Sequence, residues 1–219
     1  MKPLFRDRLH AGEVLSHSLK LPENSVIFAI PRGGVPVAYP VAVRHNIPMD
    51  IIVVRKLPIP WNPEAGFGAV TIDGTIFLNP DFENLIDRKT INEVGREVFK
   101  EVLRRNLIYR EGKGYKPLNG KTAIIIDDGF ASGFTAIAAS NFLKTLNPEK
   151  ILAVAPVAPI HTIERLKPYF DKVLVLHEST QLPFAVASFY ESFPDLTDEE
   201  VLAYIDNLKE RKLWWNDAV

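Results

Sequence analysis

The feature that most constrains this chain is a repeated alternation. Five short apolar runs, at residues 25–30, 50–54, 122–126, 150–155 and 172–176, are separated by stretches with helical spacing. Runs such as "SVIFAI" and "TAIII" are apolar at nearly every position rather than at every second one. A strand of that kind is buried on both faces. Strands alternating with helices build a parallel sheet covered by helices on either side. Ligands of such sheets sit beyond the carboxyl ends of the strands. The loops to inspect are therefore "PRGGVP" after the first run, "RKLPIPWNPEAGFG" after the second, "DDGFASGFT" after the third, and the segment from His177 onward. Helices are expected over residues 8–20, 37–45, 87–109, 134–146, 161–170 and 198–209. A hairpin is expected over 69–78, turning at Asp73–Gly74. Residues 57–68, rich in proline and glycine, read as a loop.

Length and composition narrow the classes further. A chain of 219 residues suits one domain, with a core over about 1–177 and a smaller elaboration over about 178–219. Charges nearly cancel, at 26 Lys+Arg against 27 Asp+Glu, so no basic excess points to nucleic acid. No cysteine is present, which excludes disulfides and thiolate chemistry. No apolar run reaches transmembrane length, and the first residues lack the apolar core of a secretory signal. The expectation is a cytoplasmic protein without a membrane partner. The five histidines are scattered and show no metal-ligand spacing.

The third strand ends abruptly in Asp127 and Asp128. Two carboxylates at the end of a buried strand are costly unless hydroxyl donors or a cation meet them. The strand end allows the chain to turn both toward one crevice. Gly129 and Gly133 then permit tight turns. Freed amides, the hydroxyls of Ser132 and Thr135 and a helix N-terminus follow, a combination suited to phosphate. Carboxylates for hydroxyls beside amides for phosphate describe a ribose 5-phosphate. The sequence contains no G-x-x-x-x-G-K-[ST] loop, and "GFGAVT" lacks the third glycine of a dinucleotide fingerprint.

This stretch resembles the phosphoribosyl-diphosphate (PRPP) signature of type I phosphoribosyltransferases. "AIPRGGVPVA" looks like that family's pyrophosphate loop, and "VRK" with the Pro/Gly-rich stretch looks like its catalytic loop. The order "DR.AG..L", "PRGG.PVA", "VRK", "DDG.A.G" is closest to a group of bacterial and archaeal members. The resemblance implies an α/β fold with a central parallel sheet of about five strands, a hairpin or flexible loop, and a C-terminal hood. It implies that Asp127 and Asp128 hold the ribose hydroxyls, and that Gly129, Phe130, Ala131, Ser132, Gly133, Phe134 and Thr135 wrap the 5-phosphate. Arg32, Gly33 and Gly34 would meet the pyrophosphate, often across a non-proline cis peptide. Arg55, Lys56 and Glu64 would serve catalysis from the mobile loop. Mg²⁺ would bridge diphosphate and ribose, reaching Asp127 and Asp128 mostly through water and PRPP. A homodimer is common among relatives. Phe134 departs from the small residue that many members carry, and Ala131 replaces an aspartate of the hypoxanthine-guanine enzymes.

The activity that the resemblance implies is transfer of the phosphoribosyl group of PRPP to a nitrogenous acceptor, with release of pyrophosphate. A nucleobase is the leading class of acceptor. A PRPP- or nucleotide-binding regulator without turnover is the alternative. Arg55 and Lys56 read equally well as a solvated strand end. One of Phe184, Phe189 or Tyr190 is expected to stack on the base, the rest packing beneath a loop. His177 reads as a structural histidine, and Trp214 and Trp215 as packing on the domain or on a second subunit.

Overall fold

The computed structural model describes residues 3–82 and 85–217, without the side chains of Pro63 and Glu64. Strand β1 (Ser25–Ala29) lies between β2 (Met49–Ile51) and β6 (Thr122–Ile126), followed by β7 (Lys150–Pro159) and β8 (Lys172–Ser179). Every pairing in this five-stranded sheet is parallel. All five residues of β1 and of β6 are buried. Their alternate side chains supply two separate cores. Ile27, Ala29, Ile124 and Ile126 join one core, and Val26, Phe28, Ala123 and Ile125 the other.

Six helices accompany the strands among the described residues: α1 (Arg8–Ser18), α2 (Gly34–His45), α3 (Arg88–Arg110), α4 (Phe134–Lys144), α5 (Ile160–Leu166) and α6 (Asp198–Glu210). Asp7 and Asp87 cap α1 and α3 by accepting the amides of His10 and Thr90. Thr197 and Glu200 form a reciprocal capping box on α6. No described helix is long and apolar enough to cross a membrane.

Three elements differ from the sequence reading. Helix α2 begins at Gly34 rather than at residue 37, because Pro36 falls in its first turn, where no helical amide bond is lost. The run at 50–54 is divided: β2 ends at Ile51, and Val54 starts β3 (Val54–Ile59) in another sheet. The expected loop at 57–68 is mostly strand. There β3 pairs antiparallel with β4 (Asn62–Thr71), which pairs with β5 (Ile76–Leu78). The prolines mislead here because β3 is an edge strand and Pro58 sits at a register shift, so its missing N–H weakens no inner ladder. The turn between β4 and β5 falls at the expected Asp73–Gly74.

Candidate active site

The carboxyl ends of β1 and β6 lie side by side, and their loops interlock. The Ile30 amide donates to the Ile126 carbonyl at 3.0 Å, and the Gly34 amide to the Ile30 carbonyl at 2.9 Å. The Pro31–Arg32 peptide is cis. A methyl group on Gly34 would come within 2.6 Å of the Ile126 oxygen, so only glycine lets α2 start this close to β6.

Beyond β6 the chain turns through 127–133 into α4. The loop is held from behind. The Phe130 amide donates to the Val157 carbonyl at 3.0 Å, Thr162 Oγ1 to the Ala131 carbonyl at 2.6 Å, and Arg165 Nη1 to the Ser132 carbonyl at 3.0 Å. Gly133, at φ 82°, forms the N-cap of α4. The first amides of a helix lack helical acceptors, so this turn presents donors to an anion.

Two cavities open on these loops. One, of about 330 Å³, is bordered by Gly129–Gly133, Thr135, Asp127 and Lys56, with Asn79 and Phe82 opposite. The other, of about 510 Å³, is bordered by Pro31, Arg55, Lys56, Arg105, Asp127 and Thr135. Lys56, Asp127 and Thr135 belong to both, so the two form one cleft, with the loop 129–135 at one end and a cationic end at the other.

The cationic end holds more positive than negative charge. Glu101 of α3 lies 2.6 Å from Arg104, 2.8 Å from Arg105 and 3.8 Å from Arg55. Asp198 of α6 lies 2.7 Å from Arg104 and 3.6 Å from Arg32, and accepts the Tyr109 hydroxyl. Four guanidinium groups thus share two carboxylates. Burial, then the neighbouring Arg105, lowers the pKa of Arg55. Such a cluster favours an added anion.

The acid pair stays together at the strand end, with the two carboxylates against each other and both beside the Gly33–Gly34 turn. Asp127 borders both cavities, and its Oδ1 accepts the Asp128 amide at 2.9 Å. Burial pushes its carboxyl pKa well up, and the adjacent Asp128 adds to the rise. Asp128 borders neither cavity; its Oδ2 meets Arg8 Nε at 2.7 Å. Burial raises Asp128 while Arg8 opposes the rise.

The hood aromatics are also sorted. Phe189 and Tyr190 are buried, at 1% and 5% exposure, in a small core with Phe5 and Ala11. They offer no free face to a base. Phe184 is half-buried against Phe189, with ring centroids 5.3 Å apart, and His177 packs on the same ring at 5.5 Å. Arg55, Lys56, Asp127, residues 129–133 and Thr135 border the cleft, while Arg32, Gly33, Gly34, Asp128 and Phe134 border neither cavity; Gly33 and Gly34 lie against the acid pair, and Arg32 faces Asp198. The Glu64 side chain lies outside the described residues. Sequence reasoning missed Arg8, Glu101, Arg104, Arg105 and Asp198. The last four sit on helices whose charged positions look like ordinary solvated faces, so only the fold shows that they converge.

Comparison with known proteins bears on the family. No family model matches the chain. In two strains of Mycobacterium tuberculosis, CDC 1551/Oshkosh and H37Rv, a protein named "putative phosphoribosyl transferase" is 38% identical over 207 residues. The match takes in 93% of this chain and 46% of the relative, so the chain spans about half the length of these curated relatives. The crystal structure of TT1426 from Thermus thermophilus superposes with a TM-score of 0.72 at 32% identity, covering 91% of this chain and 96% of that one. A parallel five-stranded sheet flanked by helices, with a small antiparallel sheet beside it, defines the fold class. The chain belongs to the phosphoribosyltransferase family.

Proposed function

We propose that the protein transfers the 5-phosphoribosyl group of PRPP to a nitrogenous acceptor, a nucleobase-like ring being the leading class. The observation that carries this reading is the single cleft with a phosphate loop at one end, arginines at the other and Asp127 between them. The 5-phosphate sits on the amides and hydroxyls of 129–135. Asp127 and Asp128 accept hydrogen bonds from the ribose hydroxyls. Arg32, Gly33, Gly34, Arg55 and Lys56 meet the diphosphate. In the reaction, the acceptor nitrogen forms a bond to ribose C1 as the bond from C1 to the diphosphate oxygen breaks. The diphosphate leaves with the electron pair, and the acceptor nitrogen loses its proton. Cations gathered where that charge develops lower the barrier selectively.

Mg²⁺ fits the oxygen donors of this cleft, because it prefers carboxylate, phosphate and water. Among the described residues no three His, Cys, Asp or Glu side chains gather into a metal group. The ion would therefore be held by Asp127 together with the diphosphate and water, and would supply charge neutralisation there. Phe184, the half-buried hood aromatic, is the ring left to contact the base.

The test is pyrophosphate release from PRPP and Mg²⁺ with a panel of purines, pyrimidines and amines. Release with one acceptor, lost in Asp127→Asn, is expected. PRPP binding without release for any acceptor would instead favour a PRPP-binding regulator. No PRPP binding would overturn the reading.

A further inference from the structure

We infer that Asn79, just beyond β5, is a further ligand of the 5-phosphate: its side-chain amide nitrogen meets the phosphate from the wall of the cleft opposite residues 129–133. The inference rests on the PRPP reading above and adds to it a residue carried by the small antiparallel sheet.

Asn79 is 6% exposed, and it borders the cavity of about 330 Å³ that the 129–133 turn also borders. A buried side-chain amide needs partners for its donor as well as for its acceptor. The acceptor is satisfied, because Oδ1 takes the Asp81 amide at 3.0 Å. That bond also decides which end of the side chain is nitrogen. Nδ2 has no hydrogen-bond partner among the described residues. It is not sealed inside the protein either, since Trp215 Nε1 is the one fully buried, unpartnered side-chain polar atom among those residues. The cavity is the space left for Nδ2 to face.

The side chain is held in place from several directions. The Asn79 amide donates to the Phe67 carbonyl at 2.8 Å, and its carbonyl accepts the Phe82 amide at 2.9 Å. The short 3-10 turn Pro80–Phe82 that follows is linked to the other wall. Asp81 lies 3.9 Å from Arg165, whose Nη1 donates to the Ser132 carbonyl at 3.0 Å. One arginine thus touches both walls. A phosphate monoester presents three terminal oxygens. Amides of the turn approach from one side, so an oxygen is left facing across the cavity, where Nδ2 can donate to it. Asn79 does not border the larger cavity, where the diphosphate is placed, so its effect should be selective.

Titration calorimetry on the full chain with two probes tests this: ribose 5-phosphate, and pyrophosphate with Mg²⁺. Asn79→Ala should weaken ribose 5-phosphate roughly tenfold, the loss of one hydrogen bond to a charged group, and leave pyrophosphate within about threefold. Asn79→Asp keeps an oxygen for the Asp81 amide but aims a carboxylate at the phosphate, and should weaken ribose 5-phosphate more than alanine does. If Asn79 serves only the turn, Asn79→Asp would bind ribose 5-phosphate like wild type while Asn79→Ala fails, and the inference would be overturned. Binding within about threefold of wild type in Asn79→Ala would overturn it as well. Where either variant does not fold, Asn79→Ser takes its place, with the same loss expected, because a hydroxyl can cap the turn but is too short to reach across the cavity. In each of these outcomes the wild-type chain still binds ribose 5-phosphate and the functional reading stands. A wild-type chain that binds no ribose 5-phosphate would overturn that reading and the inference together.

Discussion

Gly33 and Gly133 are glycine for different reasons, and the difference can be measured. Gly133 sits at φ 82°, where a side chain costs about 1–2 kcal/mol. A methyl there also meets Leu166 at 3.0 Å and Thr162 at 3.1 Å. Gly33 has an ordinary helical φ of −62°, so alanine fits its backbone and collides only with the ion pair of Asp128 and Arg8. Gly133→Ala should therefore lower the urea midpoint, by about 1–3 kcal/mol in stability, and loosen the 129–133 turn. On the proposed PRPP reading, Gly33→Ala should act mainly on the Arg32–Gly34 turn, weakening pyrophosphate binding more than ribose 5-phosphate binding. Gly114 has no atom within 4 Å of an added methyl and a φ outside the left-handed region, so Gly114→Ala is the neutral control.

Among the elements, α3 carries the electrostatic part of the site. Arg104 and Arg105 hold the Glu101 carboxyl down to about 2, from an ordinary 4.5. A depressed carboxyl contributes stability that is full above its unfolded pKa and lost as pH falls toward the folded one. Glu101→Gln should thus cost stability at neutral pH, by no more than about 1 kcal/mol because the group is well solvated. Its difference from wild type should shrink as pH falls from about 5 toward about 3, read from urea midpoints at each pH. The same helix shows what sequence can carry. Its existence and its extent to within a residue or so are legible in the spacing of Ile91, Val94, Val98, Val102 and Leu103, although Leu103 faces solvent. Its partners across the cleft are not, since nothing in residues 101–105 refers to Asp198 or Arg55. Likewise the doubly buried strands, the hairpin at Asp73–Gly74 and the glycine turn leading from β6 into α4 can be read locally. The conversion of 57–68 into strand depends on β3 being an edge, and the turning of Asp128 toward Arg8 on a contact 120 residues apart.

At the scale of the molecule, one buried ion pair ties the C-terminal turn to the sheet. Arg110 and Asp50 are exposed by 0% and 1%, and their two hydrogen bonds measure 2.8 and 3.0 Å. Arg110 also donates to the Lys113 carbonyl at 2.6 Å and to Asn216 at 3.3 Å, and lies 3.5 Å from the centre of the Tyr115 ring. Tyr115 in turn donates to the Ile51 carbonyl and accepts the Val53 amide. The end of α3, the loop before β6, the segment joining β2 to β3 and the C-terminal turn therefore share one junction. That junction fixes where Arg55 and Lys56 enter the cleft, because they follow Val53 closely in the chain. Removing one partner leaves a buried charge uncompensated, so Asp50→Ala should cost about 3–5 kcal/mol, a large share of the ~5–15 kcal/mol typical of a domain. Replacing both, as Asp50→Leu/Arg110→Met, removes the desolvation cost with the attraction and should recover most of that loss. Urea unfolding of the three proteins checks the sign. If the double variant is as unstable as Asp50→Ala, the junction depends on the hydrogen bonds of Arg110 to the loop and the C-terminal turn rather than on neutralising Asp50.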